Sequence, residues 1–364
     1  MNFTQIFAAK HAFIPSVLCA VLACGTLSAC TPNTDAINQQ ASYQRLEGQT
    51  MGTSYHITFK VPANADISAI QASIDARLDT INQSMSTYMD DSTISKFNRL
   101  DAHQPMVVDA DFIKVLQDSR EIFTKSGGSF DPTVYPLVEL WGFGSKFSVE
   151  RLQSPPSQDE IAAVKDSIGL DKVALDGDKL SKTHAGVGLD FSAIAKGYGV
   201  DVIAQVLHDD YQIQDYLVEI GGEVASRGTN AKSQAWTLAV DAPIADSTTA
   251  NREIIATITQ TDGQLNMATS GGYRNAIEYD GVRYSHTIDP RTDSPVANSA
   301  PSVTVLADTT ALADGWATAL TALPYDEALA LANTQNIKAL FVIENPNSKG
   351  FSVVKSEAYQ KLGL

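Results

Sequence analysis

The chain has 364 residues, 44% of them apolar and 19% charged, with a formal charge of −16 at neutral pH. That is ordinary globular composition, enough for one large domain or two medium ones, and it excludes a wholly disordered chain. An acidic surface repels polyanions, so no nucleic-acid partner is expected.

Residues 1–29 read as a signal segment. Lys10 precedes an apolar run from Ala12 to Leu22, too short to span a bilayer stably, and Leu27-Ser28-Ala29-Cys30 follows at the distance of a cleavage site. Small residues before a cysteine resemble the lipobox of bacterial lipoproteins, which makes Cys30 the expected membrane anchor. A plain secretory signal, or an apolar N-terminal helix with a chance cysteine, are the other readings. Cys19, Cys24 and Cys30 are the chain's three cysteines. A body starting at Cys30 would therefore hold no disulfide, thiolate metal site or cysteine nucleophile. Losing Lys10, the only charged side chain before Cys30, takes the formal charge from −16 to −17. Residues 30–42 include the polar, non-periodic "TPNTDAINQQ" and read as a lipidated flexible tether, with a single domain over 43–364.

Two strands are predicted around Tyr43–Gly48 and Thr53–Val61. Ile67, Ile70, Ile74, Leu78, Ile81 and Met85 then recur every three or four residues, predicting an amphipathic helix that ends near Ser86. A second helix is expected from about Asp111 to Lys125, with Asp109 or Ala110 at its start and Gly127-Gly128 stopping it. Ser157 and Glu160 form a capping-box signature for a third, carrying Ile161, Val164 and Ile168. "KVALD" and an Asp176-Gly177-Asp178 turn lead to a helical stripe from Phe191 to His208. "YLVEI", "WTLAV", "EIIATIT" and "AIEYDGVRYSHTI" read as strands, the last with a two-residue hairpin signal at Asp280-Gly281. "SVTVLA" feeds a helix from about Thr309 to Leu323, and the tail from Tyr325 reads as a helix and strands. No internal repeat is visible, and the fold class is α+β with antiparallel sheet prominent.

Six polar or glycine-rich stretches mark candidate sites at element boundaries: "MGTSY", "MSTYMDDSTISKFN", "GGSFDPTV", "LDFSAIAKGYG", "ATSGGYRN" with "YSHTIDPRT", and "ADGWATAL". Asp314 and Thr318 are four apart on a helix, so their oxygens leave one face at a separation that one hard cation bridges. A solvated aspartate and a packed threonine fit the same spacing. Asp190 precedes a helix and Lys196 lies one to two turns later, so both can reach a phosphate-bearing ligand near the helix start. A capped helix with a surface lysine fits equally. His286 is one of five histidines left after residue 30, with Asp289 and Arg291 nearby to orient it or hold an anion. A satisfied structural histidine is the alternative. Met51, Tyr88 and Phe130 offer apolar or aromatic faces for a flat ring, or for ordinary core packing.

Together and in this order, the six stretches resemble the ApbE family, the FAD:protein FMN transferases, from Gly48 to about Leu323. The resemblance implies an ApbE-like, T-fold-related α+β domain. It also implies an enzyme that takes FAD, binds Mg²⁺ at its pyrophosphate and transfers FMN to a threonine or serine hydroxyl of an acceptor protein, releasing AMP. By motif it assigns Met51, Tyr88, Ser129, Phe130, Asp131, Asp190, Lys196 and Ile288 to FAD. Asp314 and Thr318 are assigned to Mg²⁺, with the backbone of Ala193 and of Ala317. His286 becomes the general base on the acceptor hydroxyl, a task that suits an imidazole near neutral pH. Asp289 and Arg291 shape their loop and the phosphate environment.

Two departures from the family's pattern stand out: Gly315 where alanine is common, at a helix-propensity cost of about 1 kcal/mol, and Asp293 where glycine is frequent. The expected setting is a lipid-anchored, periplasm-facing enzyme whose acceptors are extracytoplasmic subunits of membrane redox complexes. Sodium-pumping NADH:quinone reductase (Nqr) and Rnf-type complexes are the examples. Thr31 after Cys30 leaves inner against outer membrane undecided. An FAD pyrophosphatase that uses water in place of the hydroxyl, and a non-catalytic flavin-binding lipoprotein, are the alternatives.

Overall fold

The structure, a computed structural model, describes residues 42–144, 154–244, 252–272, 277–279, 282–284, 287–296, 300–345 and 350–363. The segment to residue 41, with Cys30, lies outside the described residues, as does Asp280-Gly281. Residues 41–364 form one compact unit. No helix among the described residues is long and apolar enough to cross a membrane.

The core is one antiparallel sheet whose eight strands lie side by side in chain order. They are β1 (Tyr43–Thr50), β2 (Thr53–Lys60), β3 (Tyr216–Ile220), β4 (Glu223–Arg227), β5 (Gln264–Ser270), β6 (Ser302–Leu306), β7 (Lys338–Glu344) and β8 (Phe351–Lys355). Such a meander lets every strand pair with its chain neighbour, and the longer insertions leave from strand ends without crossing the sheet. Four long helices matter for the site: α1 (Ile67–Met85), α2 (Ala110–Ser126), α3 (Ala195–Gln205) and α4 (Thr310–Thr321).

One face of the sheet carries the helices. Tyr55, Ile57 and Phe59 of β2 and Val218 and Ile220 of β3 pack on Ile70, Ile74 and Leu78 of α1 and on Val200 and Ile203 of α3. Ala268, Val303, Val305, Ala339 and Phe341 meet α2 and α4. Each large aliphatic buried here contributes about 2 kcal/mol of transfer free energy. The opposite face is covered by the hairpin Thr237–Asp241 with Ile254–Thr259 and by the helix Glu357–Gln360, through Leu238, Val240, Ile258 and Tyr359.

Sequence rules place most ends. Asp66 caps α1 by accepting from the Ser68 and Ala69 amides, Asp109 caps α2, and Gly127 closes α2 in the left-handed conformation at φ 64°. The Ser157–Glu160 capping box starts the short helix Gln158–Lys165. Arg77 of α1 grips Asp111 of α2 with two 2.7 Å bonds, and Tyr198 of α3 donates to the same carboxylate at 2.6 Å, so three helices meet at one charged node.

The expected helix from Phe191 to His208 is shorter. Residues 191–194 form a turn in which the Ile194 and Ala195 amides both donate to the Phe191 carbonyl, α3 starts at Ala195, and a wider π turn carries Val206–Asp210. Lys196 therefore lies in the first turn of α3 rather than one to two turns in. The stretch "ADGWATAL" is not at an element boundary either, since it forms the interior of α4.

Candidate active site

The site grows from the crossing of α3 and α4. A Cβ on Gly197 would fall 2.4 Å from the Thr310 carbonyl oxygen and 2.8 Å from Asp314 Cβ, so only glycine allows this approach. Gly197 belongs to the first turn of α3, where amides have no intrahelical acceptor, and its N–H donates to Asp314 Oδ2 at 3.0 Å. The carboxylate thereby sits at the positive end of α3. One turn along α3, Asp201 accepts from the Thr310 and Ala311 amides at 2.7 and 2.8 Å, and Thr309 accepts from Leu312. Each helix thus caps the other, which fixes Asp314 relative to Lys196.

Asp314, 3% exposed, points into a charged cluster. Lys196 Nζ lies 3.5 Å from Asp314 Oδ1 and 3.0 Å from Glu223 Oε1. Glu223, 2% exposed, opens β4 directly after the Gly221-Gly222 turn, and its Oε2 is buried without a hydrogen-bond partner. Burial works against charge on Lys196, yet the Asp314 and Glu223 carboxylates hold its ammonium above the ordinary lysine range. Burial pushes the Glu223 carboxyl up to about 8 against the pull of Lys196, and raises Asp314 in the same way. Two buried carboxyl groups thus share one ammonium in a poorly solvated place, where a further positive charge would favour the ionised form of both.

That preference, and the oxygen-only donors, fit a hard divalent cation. Thr318 follows Asp314 by one turn and is half-buried. Among the described residues no group of three His, Cys, Asp or Glu side chains stands together for a metal. A cation here would draw most of its shell from ligand phosphate and water, as Mg²⁺ commonly does. Ala193 is half-buried against the main core. Ala317 fits less well: it is fully buried and its carbonyl already accepts the Thr321 hydroxyl at 2.8 Å.

The other expected residues fall in three groups. Met51 packs against α3, the helix that carries Lys196. It occupies the β1–β2 turn at φ 49°, and its Cε would lie 3.0 Å from a Cβ on Gly199 of α3. Tyr88 is 69% exposed on the turn after α1, and burial of its hydroxyl, then the charges of Asp190 and Glu139, raise its pKa. Asp190 is half-buried, its carboxylate accepts the Ser192 amide at 2.8 Å, and burial raises it. Tyr88 thus lies within electrostatic reach of Asp190, with an exposed ring available for stacking.

Ser129, Phe130 and Asp131 are buried. Ser129 donates to the Ala319 carbonyl of α4 at 3.0 Å, Phe130 sits in the main core, and Asp131 caps Pro132–Val134 through the Thr133 amide and hydroxyl at 2.8 and 2.6 Å. Ile288 lies in a separate apolar cluster with Leu137, Trp141 and Ile161. His286 lies outside the described residues. Nearby, Arg291 spends its guanidinium on Asp289, at 2.8 to 3.3 Å, and on Glu327 at 3.3 Å. This pair shapes the loop.

Both sequence departures have structural reasons. A Cβ on Gly315 would lie 2.4 Å from Ile122 Cδ1 of α2, so glycine lets α4 seat on α2. Asp293 has φ 60°, a left-handed position that glycine takes freely and aspartate tolerates; Lys165 pairs with its carboxylate at 2.6 Å. Glu223 is the residue that sequence reasoning missed. Its signal was a Gly-Gly turn followed by a carboxylate on an otherwise apolar, small-residue strand.

The model of the ApbE family matches residues 51–341. An FAD:protein FMN transferase of Haemophilus influenzae is 37% identical over 354 residues, covering 95% of this chain and 97% of that protein. Among solved structures, a flavin transferase ApbE from Vibrio cholerae superposes with a TM-score of 0.78 at 35% identity, over 88% of this chain and 99% of the other. The apo form of a flavinyl transferase ApbE from Pseudomonas stutzeri gives 0.78 at 32% identity, over 88% and 96%.

Proposed function

This chain belongs to the ApbE family, and from that premise we propose that it is an FAD:protein FMN transferase. The acceptor's threonine or serine oxygen forms a bond to the FMN-side phosphorus of FAD, the bond from that phosphorus to the bridging oxygen breaks, and AMP leaves. The observation that carries the reading is the Lys196–Asp314–Glu223 cluster at the α3–α4 crossing. Two of its three members are residues that the family's motif assigns to FAD and to the metal.

Each group on this chain has a physical task. Lys196 places a fixed positive charge where a pyrophosphate can lie, the main electrostatic need of phosphoryl transfer. Its third ammonium proton remains for a phosphate oxygen. Asp314 with Thr318 would hold Mg²⁺, which supplies charge neutralisation on the pyrophosphate when bound. Tyr88 offers an exposed ring for stacking. His286 takes the proton of the attacking hydroxyl, and Met51 provides an apolar wall.

The same proposal includes residues 1–42. Cys30 is acylated, the body faces the periplasm on a tether, and the acceptors are extracytoplasmic subunits of Nqr- or Rnf-type redox complexes. The family match and the lipobox-like Leu27–Cys30 support this setting.

The test incubates the full-length chain in detergent with FAD, Mg²⁺ and an acceptor domain, followed by intact mass and AMP release. A covalent FMN adduct that disappears in Asp314→Ala and His286→Ala is the expected result. AMP without adduct would replace the transferase with a pyrophosphatase, and intact bound FAD would replace it with a carrier. Cys30→Ser should release the protein from the membrane fraction, and retention would remove the lipid anchor from the reading.

A further inference from the structure

The β3–β4 hairpin contains two features that both address Lys196. At Gly221, φ 60°, a Cβ would meet Thr53 Cγ2 at 2.8 Å and Lys196 Cδ at 3.3 Å, so the bare glycine lets the lysine stem lie close against the turn. Two residues later Glu223 takes the ammonium at 3.0 Å, closer than the 3.5 Å to Asp314. A carboxylate 2% exposed, with one oxygen lacking any hydrogen-bond partner, is a poor device for folding. Its position has a different use. Without Glu223, the Lys196 ammonium would be left with Asp314 as its only close counter-charge and would pair fully with it. A fully paired Asp314 has less electron density to offer a divalent cation.

We propose that Glu223 is a positioning residue that draws the Lys196 ammonium off Asp314 and so keeps the Asp314 carboxylate open to a divalent cation before FAD arrives. This rests on the reading of Asp314 as a metal ligand. Glu223 acts through Lys196 and touches no reacting atom. The alternative mode, a direct pull of its negative charge on the cation, predicts a different pattern across a double-mutant cycle.

The experiment measures binding of Mn²⁺ alone to the full-length chain in detergent, from the electron paramagnetic resonance signal of the free ion, with thermal unfolding checked for each variant. Glu223→Gln, nearly isosteric, should weaken Mn²⁺ about tenfold, and Glu223→Asp, which keeps a carboxylate on the hairpin, less than about threefold. In a Lys196→Gln background the effect of Glu223→Gln should shrink to less than about threefold, because no ammonium remains to be held. Unchanged Mn²⁺ affinity in Glu223→Gln, or the same tenfold loss in both backgrounds, would overturn the proposal while leaving the metal site in place. Asp314→Asn that binds Mn²⁺ like wild type, or wild type that binds none, would remove the metal reading and this inference with it.

Discussion

Gly197→Ala is the sharpest probe of the helix crossing. The added Cβ would lie 2.4 Å from a backbone oxygen that has no rotamer to move, and 2.8 Å from Asp314 Cβ. Restoring an ordinary contact moves α4 away from α3 by about 1 Å. The Gly197 amide to Asp314 bond, 3.0 Å in the structure, then stretches to about 4 Å and is lost. Overpacking costs about 1–3 kcal/mol, and loss of a hydrogen bond to a buried carboxylate about 1.5–3 kcal/mol. Better helix propensity returns about 1 kcal/mol, which leaves a net loss of about 3 kcal/mol. For a domain this large, that lowers Tm by about 6 °C. A misplacement of this size at the reacting site lowers the transfer rate on the order of 10²-fold. Gly199→Ala is the matched control. Its Cβ would meet the tips of Met51 and Ile220 at 3.0 and 3.3 Å, which can give, so Tm should stay within about 2 °C. Calorimetry showing Gly197→Ala no less stable than Gly199→Ala would refute the close-approach argument.

Tyr88→Ala, at a site 69% exposed, should leave Tm within about 1 °C, yet weaken FAD by about tenfold or more in a fluorescence titration, the scale of one lost stacking contact. Lys182 is fully buried on the carbonyls of Asn98 and Val187, and burial lowers its pKa to about 8. The unfolded chain keeps that proton up to its ordinary pKa near 10.5, so stability should rise with pH between about 8 and 10.5, by up to about 3 kcal/mol. Denaturation curves of wild type and Lys182→Met that stay parallel over that window would contradict it. The neutral set Lys196→Met, Glu223→Gln, Asp314→Asn should unfold at or above the wild-type Tm with no transfer activity, whereas Lys196→Met alone should lose about 3 kcal/mol by leaving two buried carboxylates unpaired. A triple variant less stable than the single one would show that the cluster serves the fold.

Periodicity and capping carried much of the fold. The stripe from Ile67 to Met85, the Asp109 cap with Gly127-Gly128, and the Ser157–Glu160 box each matched a local rule, and α1, α2 and the short helix follow them closely. The two strands at the middle of the sheet, β4 and β5, were not legible. "EVASR" lacks alternation because β4 is buried on both faces, and "QLNMATS" mixes its apolar residues with polar ones on both sides. At the site, the family's motif pointed to Lys196 and Asp314, but no spacing rule reveals that the chain folds back over a separation of 117 residues so that a glycine amide meets a carboxylate. Glu223 was missed for the same reason: its partner is set by tertiary approach, and its one local signal, a glutamate after Gly-Gly, also fits an exposed hairpin shoulder.

The cluster also explains why this fold tolerates an unfavourable centre. Eight strands in unbroken antiparallel order, covered on both faces, spread packing over a far wider area than the α3–α4 crossing occupies. Stability gathered there can sustain two buried acidic side chains around a single ammonium, an arrangement whose strain shows in the raised proton affinity of both carboxyls. The hairpin, the first turn of α3 and the middle of α4 each hold one of the three groups. On the proposed reading, a pyrophosphate with its divalent cation would answer both demands, Asp314 holding the cation and Lys196 an anionic oxygen, and the site's poor solvation would strengthen those contacts.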